Sequence, residues 1–223
     1  MFSKELGAKL DKYHLLKHPF YQKYWNEGRL TREIIKDYAE QYYQHVKAFP
    51  RYISATHSIC EDLEKRKILL ENLQDEENKD GDHPKLWKNF AKAMGADEKE
   101  IEKVKLDWFT KDMIDNFFFQ ARKSYAEGLA SLYTYERQIP EIAETKIQGL
   151  KKHYGVSSKE GLEFFEAHKS ADVIHRAECE KLLDGLSEEE QKKAEKASLK
   201  TAKFLWNFLS GMTAKHKLQQ VAA

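Results

Sequence analysis

The run Phe164-Phe165-Glu166-Ala167-His168-Lys169-Ser170-Ala171-Asp172-Val173-Ile174-His175-Arg176-Ala177-Glu178-Cys179-Glu180-Lys181-Leu182-Leu183 puts Phe164, Phe165, Ala171, Cys179, Leu182 and Leu183 on one face when wound at the helical period. The spacing predicts an amphipathic helix from about Ser158 to Leu183. His168, Asp172 and His175 share that apolar face, at i, i+4 and i+7. Burying two imidazoles and a carboxylate costs several kcal/mol unless each finds a partner. A metal cation satisfies all three together. A hydrogen-bonded Asp and His within an ordinary core is the other solution, and the trio alone leaves both open. Val173 and Ile174 fall off the stripe, which predicts cover on a second side of this helix.

The same spacing recurs on both sides of this run, so the chain reads as all-α. A first short helix is expected to end near His18-Pro19. A second starts at the N-cap residue Thr31 and runs through Ile34, Ile35, Tyr38, Tyr42 and His45 to Phe49, where Pro50 should kink or break it. A long segment from about Arg51 to about Asn78 precedes the turn Lys79-Asp80-Gly81-Asp82, and a new helix opens at Pro84. Asp97, Ser157 and Ser187 each stand three residues before a glutamate, as in a capping box, Pro140 marks a break, and Gly155 fits a position just past a helix end. Seven or eight helices are expected in a single domain over residues 1–215, with a frayed tail over 216–223.

Composition narrows the class. The 223 residues are 41% hydrophobic and 34% charged, with a formal net charge of +1, so the molecule has no field of one sign with which to collect nucleic acid. No window holds the roughly 18 uninterrupted apolar residues that a membrane span needs. Cys60 and Cys179 are the only cysteines, and Met1-Phe2-Ser3-Lys4-Glu5 carries charge where a secretion signal is apolar; a reducing cytoplasm is the expected location.

Other carboxylates fall on apolar stripes as well. Leu129, Leu132, Tyr133 and Ile139 surround Glu136, and a buried carboxylate without a cation is rare. Leu69 and Leu73 put Glu76 on their face, whereas Leu70 and Leu73 would put Glu77 there; periodicity leaves the choice open. His83 precedes Pro84, which disfavours a helical conformation at His83, so this histidine reaches in from a loop or helix start, or else caps the helix at the surface. Glu76, His83, Glu136, His168, Asp172 and His175 together supply three carboxylates and three imidazoles. That set suits two adjacent iron or manganese ions with open positions for dioxygen, and carries too many oxygen ligands for a structural zinc. None of the nine histidines has a glutamate three residues before it, so the usual ferritin-like motif is absent.

Four stretches carry a family resemblance: Tyr42-Tyr43-Gln44-His45-Val46-Lys47-Ala48-Phe49-Pro50, Asp75-Glu76-Glu77-Asn78, Tyr133-Thr134-Tyr135-Glu136-Arg137-Gln138-Ile139-Pro140 and Ala171-Asp172-Val173-Ile174-His175. They resemble the family of the chlamydial protein associating with death domains and its bacterial relatives, from about His14 to Leu183. The resemblance implies a heme-oxygenase-like (TenA/PqqC-like) helical bundle and a dimetal oxidase that makes para-aminobenzoate for folate. It implies metal ligands at Glu76, His83, Glu136, His168, Asp172 and His175, which chooses Glu76 over Glu77, with Fe/Fe or Fe/Mn as the metals, dioxygen as co-substrate and an external reductant. It further implies that Tyr21 supplies the aromatic ring and Lys146 the nitrogen, that Tyr38 is a second tyrosine near the metals, and that the protein is a homodimer. The residues alone assign Lys146 no role and read Tyr38, Tyr42 and His45 as core packing. A thiaminase-like or cofactorless oxidase of the same fold is the competing enzyme class, although neither cysteine sits in a recognisable nucleophile motif. Death-domain binding is implied by the family's name and by no separate feature of the sequence.

Overall fold

Short polar side chains at the helix starts set the boundaries of the elements. In the computed structural model, which describes residues 1–79 and 81–218 and all of their side chains except those of 170–173, Thr31 Oγ1 accepts from Ile34 N–H and opens a long helix, as its sequence predicts. Ten α-helices occur among the described residues, and no strand: α1 (Phe2–Leu10), α2 (Arg32–Ser58), α3 (Leu63–Glu76), α4 (His83–Ala93), α5 (Glu98–Ile101), α6 (Trp108–Lys123), α7 (Tyr125–Glu136), α8 (Ile139–His153), α9 (Lys159–Asp184) and α10 (Glu188–Lys215). The count exceeds the expected seven or eight because α1 is separate from the turns that lead to Pro19, and because the single turn α5 has its own cap, Asp97.

Several expected boundaries move. Pro50 neither breaks nor ends α2, which continues to Ser58. Proline inside a helix costs about 3 kcal/mol, and the burial of Phe49, Pro50, Tyr52 and Ile53 on both sides of it offsets that cost. The expected segment from Arg51 to Asn78 is two elements, because Asp62 accepts from Glu64 and Lys65 N–H and starts α3 afresh. The cap of α9 is Ser158, one residue after Ser157. Ser187 and Glu190 form the expected capping box, Pro140 lies in the first turn of α8, and Gly155 takes a φ of +68° just past the end of α8. Residues 216–218 do not fray: His216 Nε2 lies 2.7 Å from Asp37 Oδ2, and Leu218 is buried in the core. Their short run carried no periodicity to read, and 219–223 lie outside the described residues.

α10 runs along α7 and α6, α8 along α9, and α2 along α6, α4 and α3. A large core, rich in aromatic side chains, fills the centre. A smaller cluster of Leu6, Leu10, Leu129, Cys179, Leu183 and their neighbours closes the end bounded by α1, α7, α9 and α10. Ile174 is 62% exposed, so at that position α9 lacks the cover on a second side that its sequence suggested; the side chain of Val173 lies outside the described residues. No helix among the described residues is long and apolar enough to cross a membrane.

Residues Phe20–Trp25 form a wide, π-helical turn, a rare geometry that recurs at functional sites. His18 Nδ1 accepts from Phe20 N–H at 3.0 Å, so Nε2 carries the proton toward Ser210 Oγ, also at 3.0 Å. Trp25 Nε1 donates to the carbonyl of Thr145 in α8 at 3.2 Å. Gly149 is required beneath that indole, because a Cβ there would collide with it. The Trp25 contacts fasten the turn, and with it Tyr21, onto the helix that carries Lys146, and His18 ties its start to α10.

Candidate metal centre and the adjoining tyrosine–lysine pocket

Glu76 closes α3 and His83 opens α4, so the loop between them, ended by the Asp82 cap, brings two candidate ligands face to face. His83 Nδ1 lies 2.8 Å from Glu76 Oε2. The His168 ring, from α9, stacks at a tilt on His83 with ring centres 4.2 Å apart. One ligand atom from each of Glu76, His83 and His168 lies within 4.8 Å of the other two, and all three residues are buried. Glu77 is exposed and Leu69 rather than Leu70 is buried, which settles the ambiguity of the α3 stripe in favour of Glu76.

His168 is oriented from behind. His168 Nδ1 lies 2.6 Å from the carbonyl of Phe164, so that nitrogen donates and Nε2 is left to ligate. Burial, reinforced by His83, holds the His168 imidazole well below its usual range and therefore neutral, the form that binds metal. His175 is buried about two turns farther along α9, its Nε2 3.0 Å from Asp75 Oδ2. Glu136, at the end of α7, is 1% exposed; its Oε1 accepts from Asn72 Nδ2 at 2.7 Å and its Oε2 faces Cys179 Sγ at 3.4 Å. The trio that comes together is therefore Glu76, His83 and His168, while Glu136 and His175 are buried beside other partners. Asp172 lies on α9, and its side chain is outside the described residues.

A carboxylate and two imidazoles, buried and mutually within reach of a single ion, match the two-histidine, one-carboxylate donor set that holds non-heme ferrous iron with positions left open. The donors present thus fit a redox-active first-row metal.

Tyr21, Tyr38 and Lys146 line one cavity, with His168 in its wall. Lys146 Nζ donates to Tyr38 Oη at 2.7 Å, and Tyr21 lines the same cavity. The rings of Tyr38, Tyr42, Trp87 and Phe165 surround the Lys146 nitrogen at 4.9 to 5.4 Å from their centres. Burial lowers the Lys146 ammonium to about 7 and raises both phenols. The same residues, with His168 and Phe164, wall this cavity of about 20 Å³. A single water fills a space of that size.

Asn72, Asp75, Trp87 and Phe165 carry no signal of a site role in the sequence, and Cys179 reads there as apolar filling outside any nucleophile motif. Asn72 stands one helical turn before Glu76, a spacing that was open to notice.

The protein-family model described as TENA/THI-4/PQQC family matches residues 4–215, and the chain belongs to that family. A Chlamydia muridarum protein named 4-aminobenzoate synthase is 43% identical over 209 residues, covering 93% of this chain and 88% of that protein. A Nitrosomonas europaea protein of the same name is 36% identical over 223 residues, covering 95% and 90%. A solved structure of a domain of unknown function with a heme oxygenase-like fold, from Shewanella denitrificans, superimposes with a TM-score of 0.80 at 15% identity over 99% of this chain and 94% of that one. The fold is accordingly heme-oxygenase-like, as the motifs implied.

Proposed function

We propose that this member of the TENA/THI-4/PQQC family makes 4-aminobenzoate, with dioxygen as oxidant and an external reductant, and that it takes the aromatic ring from Tyr21 and the nitrogen from Lys146. The observation that carries the reading is the Lys146–Tyr38 hydrogen bond beside Tyr21, in the wall of one cavity that His168 also lines. A space of about 20 Å³ admits a diatomic gas or a water and has no room for a separate aromatic substrate, whereas a phenol and an amine already stand in its wall. The two relatives named 4-aminobenzoate synthase support the choice of product.

Iron with iron or manganese, held by Glu76, His83, Glu136, His168, Asp172 and His175, would supply the oxidising power for the reaction. The chain's own residues do the rest. The π-helical turn, anchored through Trp25, orients the Tyr21 ring, and Phe20 packs edge-on against it. The apolar wall of Leu15, Ile139, Ile142 and Leu209 excludes bulk water from that ring. Tyr38 accepts the Lys146 N–H in the cavity that Tyr21 also lines, so a proton leaving the amine has a phenol oxygen within reach. With its ammonium lowered to about 7, Lys146 presents an amine lone pair near neutral pH, as a nitrogen donor must.

Isotopic nitrogen placed only in lysine, followed into the product of a reaction run with excess reductant and dioxygen, tests this reading. Labelled 4-aminobenzoate at no more than one molecule per chain is expected. Multiple turnovers, unlabelled product, or wild-type yield from Tyr21→Phe would assign the chain to conventional oxidation of an external substrate.

A further inference from the structure

Glu136 is held by two donors from two other helices, and each donor stands one helical turn from a candidate ligand on its own helix. Asn72 and Glu76 are at i and i+4 on α3; His175 and Cys179 are at i and i+4 on α9. Asn72 Nδ2 donates to Glu136 Oε1 at 2.7 Å. The Cys179 thiol donates to Oε2 at 3.4 Å, a normal separation for sulfur. Asn72 and Cys179 are 4% and 3% exposed, so water does not compete for either bond. Asn72 Oδ1, by contrast, is buried with no partner among the described residues. Leaving that oxygen unsatisfied is a cost, offset where the other end of the amide reaches a carboxylate.

We infer that Asn72 and Cys179 are positioning residues that clamp Glu136 and thereby set the second metal position relative to the Glu76–His83–His168 cluster. The inference rests on the functional reading above for the identity of Glu136 as a ligand. A carboxylate has about four acceptor sites, so each oxygen keeps a lone pair for a metal while it accepts its clamp bond. The clamp also fixes α7 against α3 and α9 at the level where their ligands project, since a slide of either helix along its axis would break one bond. Replacing such outer partners of metal ligands costs about 10- to 100-fold in metal affinity.

Serine and alanine at position 179 test the donor separately from its bulk, because both are smaller than cysteine by a similar amount and only serine donates. Anaerobic titration with ferrous iron, read by elemental analysis after desalting, should give two ions per wild-type chain. In Cys179→Ala and Asn72→Ala the second ion should bind about 10- to 100-fold more weakly, while Cys179→Ser stays close to wild type. Equal affinity in the serine and alanine variants would overturn the clamp and leave Cys179 as packing. A second readout needs no metal. The infrared S–H stretching band that disappears in Cys179→Ala should lie below that of an unbonded thiol in metal-free protein, and Glu136→Ala should raise it; a band unmoved by Glu136→Ala overturns the proposal. A wild type that takes up a single ion would defeat the functional reading, and the infrared band would still decide the clamp.

Discussion

The two halves of the site are held in place by different means. Glu76 and His83 are the last residue of one helix and the first of the next, so their meeting depends on where α3 and α4 stop and start. Tyr38 and Lys146 lie in mid-helix on α2 and α8, and their positions depend on how those helices pack in the aromatic core. The polar groups of the first half answer one another across a few ångströms. In the second half a lone amine has one phenol oxygen and four ring faces. The Glu76–His83 pair at helix ends is adjustable by caps and loops, whereas the Tyr38–Lys146 pair in mid-helix is fixed by the core itself.

If the halves are separable in this way, substitutions should divide between them. The largest effect is expected from Tyr21→Phe, which should reduce 4-aminobenzoate to background while two ions still bind; His168→Ala should abolish both. Metal content lost in Tyr21→Phe would break the division. Next in size is the burden of the buried amine. Its folded-state value, about 7, lies below the ordinary 10.5, so between those pH values the unfolded chain binds a proton that the folded chain does not. Stability of the metal-free protein should therefore rise as pH increases from about 7 toward 10.5, and the penalty should be complete below 7. Lys146→Met should flatten that slope and stabilise the protein by roughly 3 to 5 kcal/mol at pH 6, read as a higher denaturation midpoint.

A smaller effect belongs to the metal half. Anaerobic addition of ferrous iron at about 100 times its dissociation constant should stabilise the chain by about 2.7 kcal/mol, and His83→Ala should remove the response while leaving the Lys146 pH slope intact. Smallest is the cap itself. Asp82 Oδ1 accepts from Lys85 N–H at 2.8 Å, and Asp82→Ala should cost about 1 kcal/mol of stability and weaken metal binding without changing the environment of Lys146. An altered Trp87 fluorescence in that variant would show that the halves are coupled after all.

Legibility in the sequence follows the same line. His168 and Glu136 declared themselves because a charged or strongly polar group on an apolar stripe demands a partner, and both prove buried. Periodicity could not choose Glu76 over its neighbour, since Leu69 and Leu70 are interchangeable to it; the family resemblance chose Glu76, and of the two leucines only Leu69 is buried. Tyr38 gave no such signal. A tyrosine on a helical stripe is ordinary core, and its hydrogen bond to Lys146 spans 108 positions of sequence. Lys146 was legible only through family resemblance, because a lysine among many basic residues reveals its burial only when the rings of α2, α4 and α9 are assembled around it. Pro50 misled for a related reason: a local rule about helices was outweighed by packing between distant segments.

The cavity of about 20 Å³ also sets the traffic of the reaction. Dioxygen fits such a space, but an aminated benzoate does not, so under the proposed reaction product formed there would stay until the cavity walls part. Release then becomes a local-opening event, with the steep temperature dependence of unfolding. The time at which 4-aminobenzoate appears in solution would measure how often the walls part rather than how fast its ring is made.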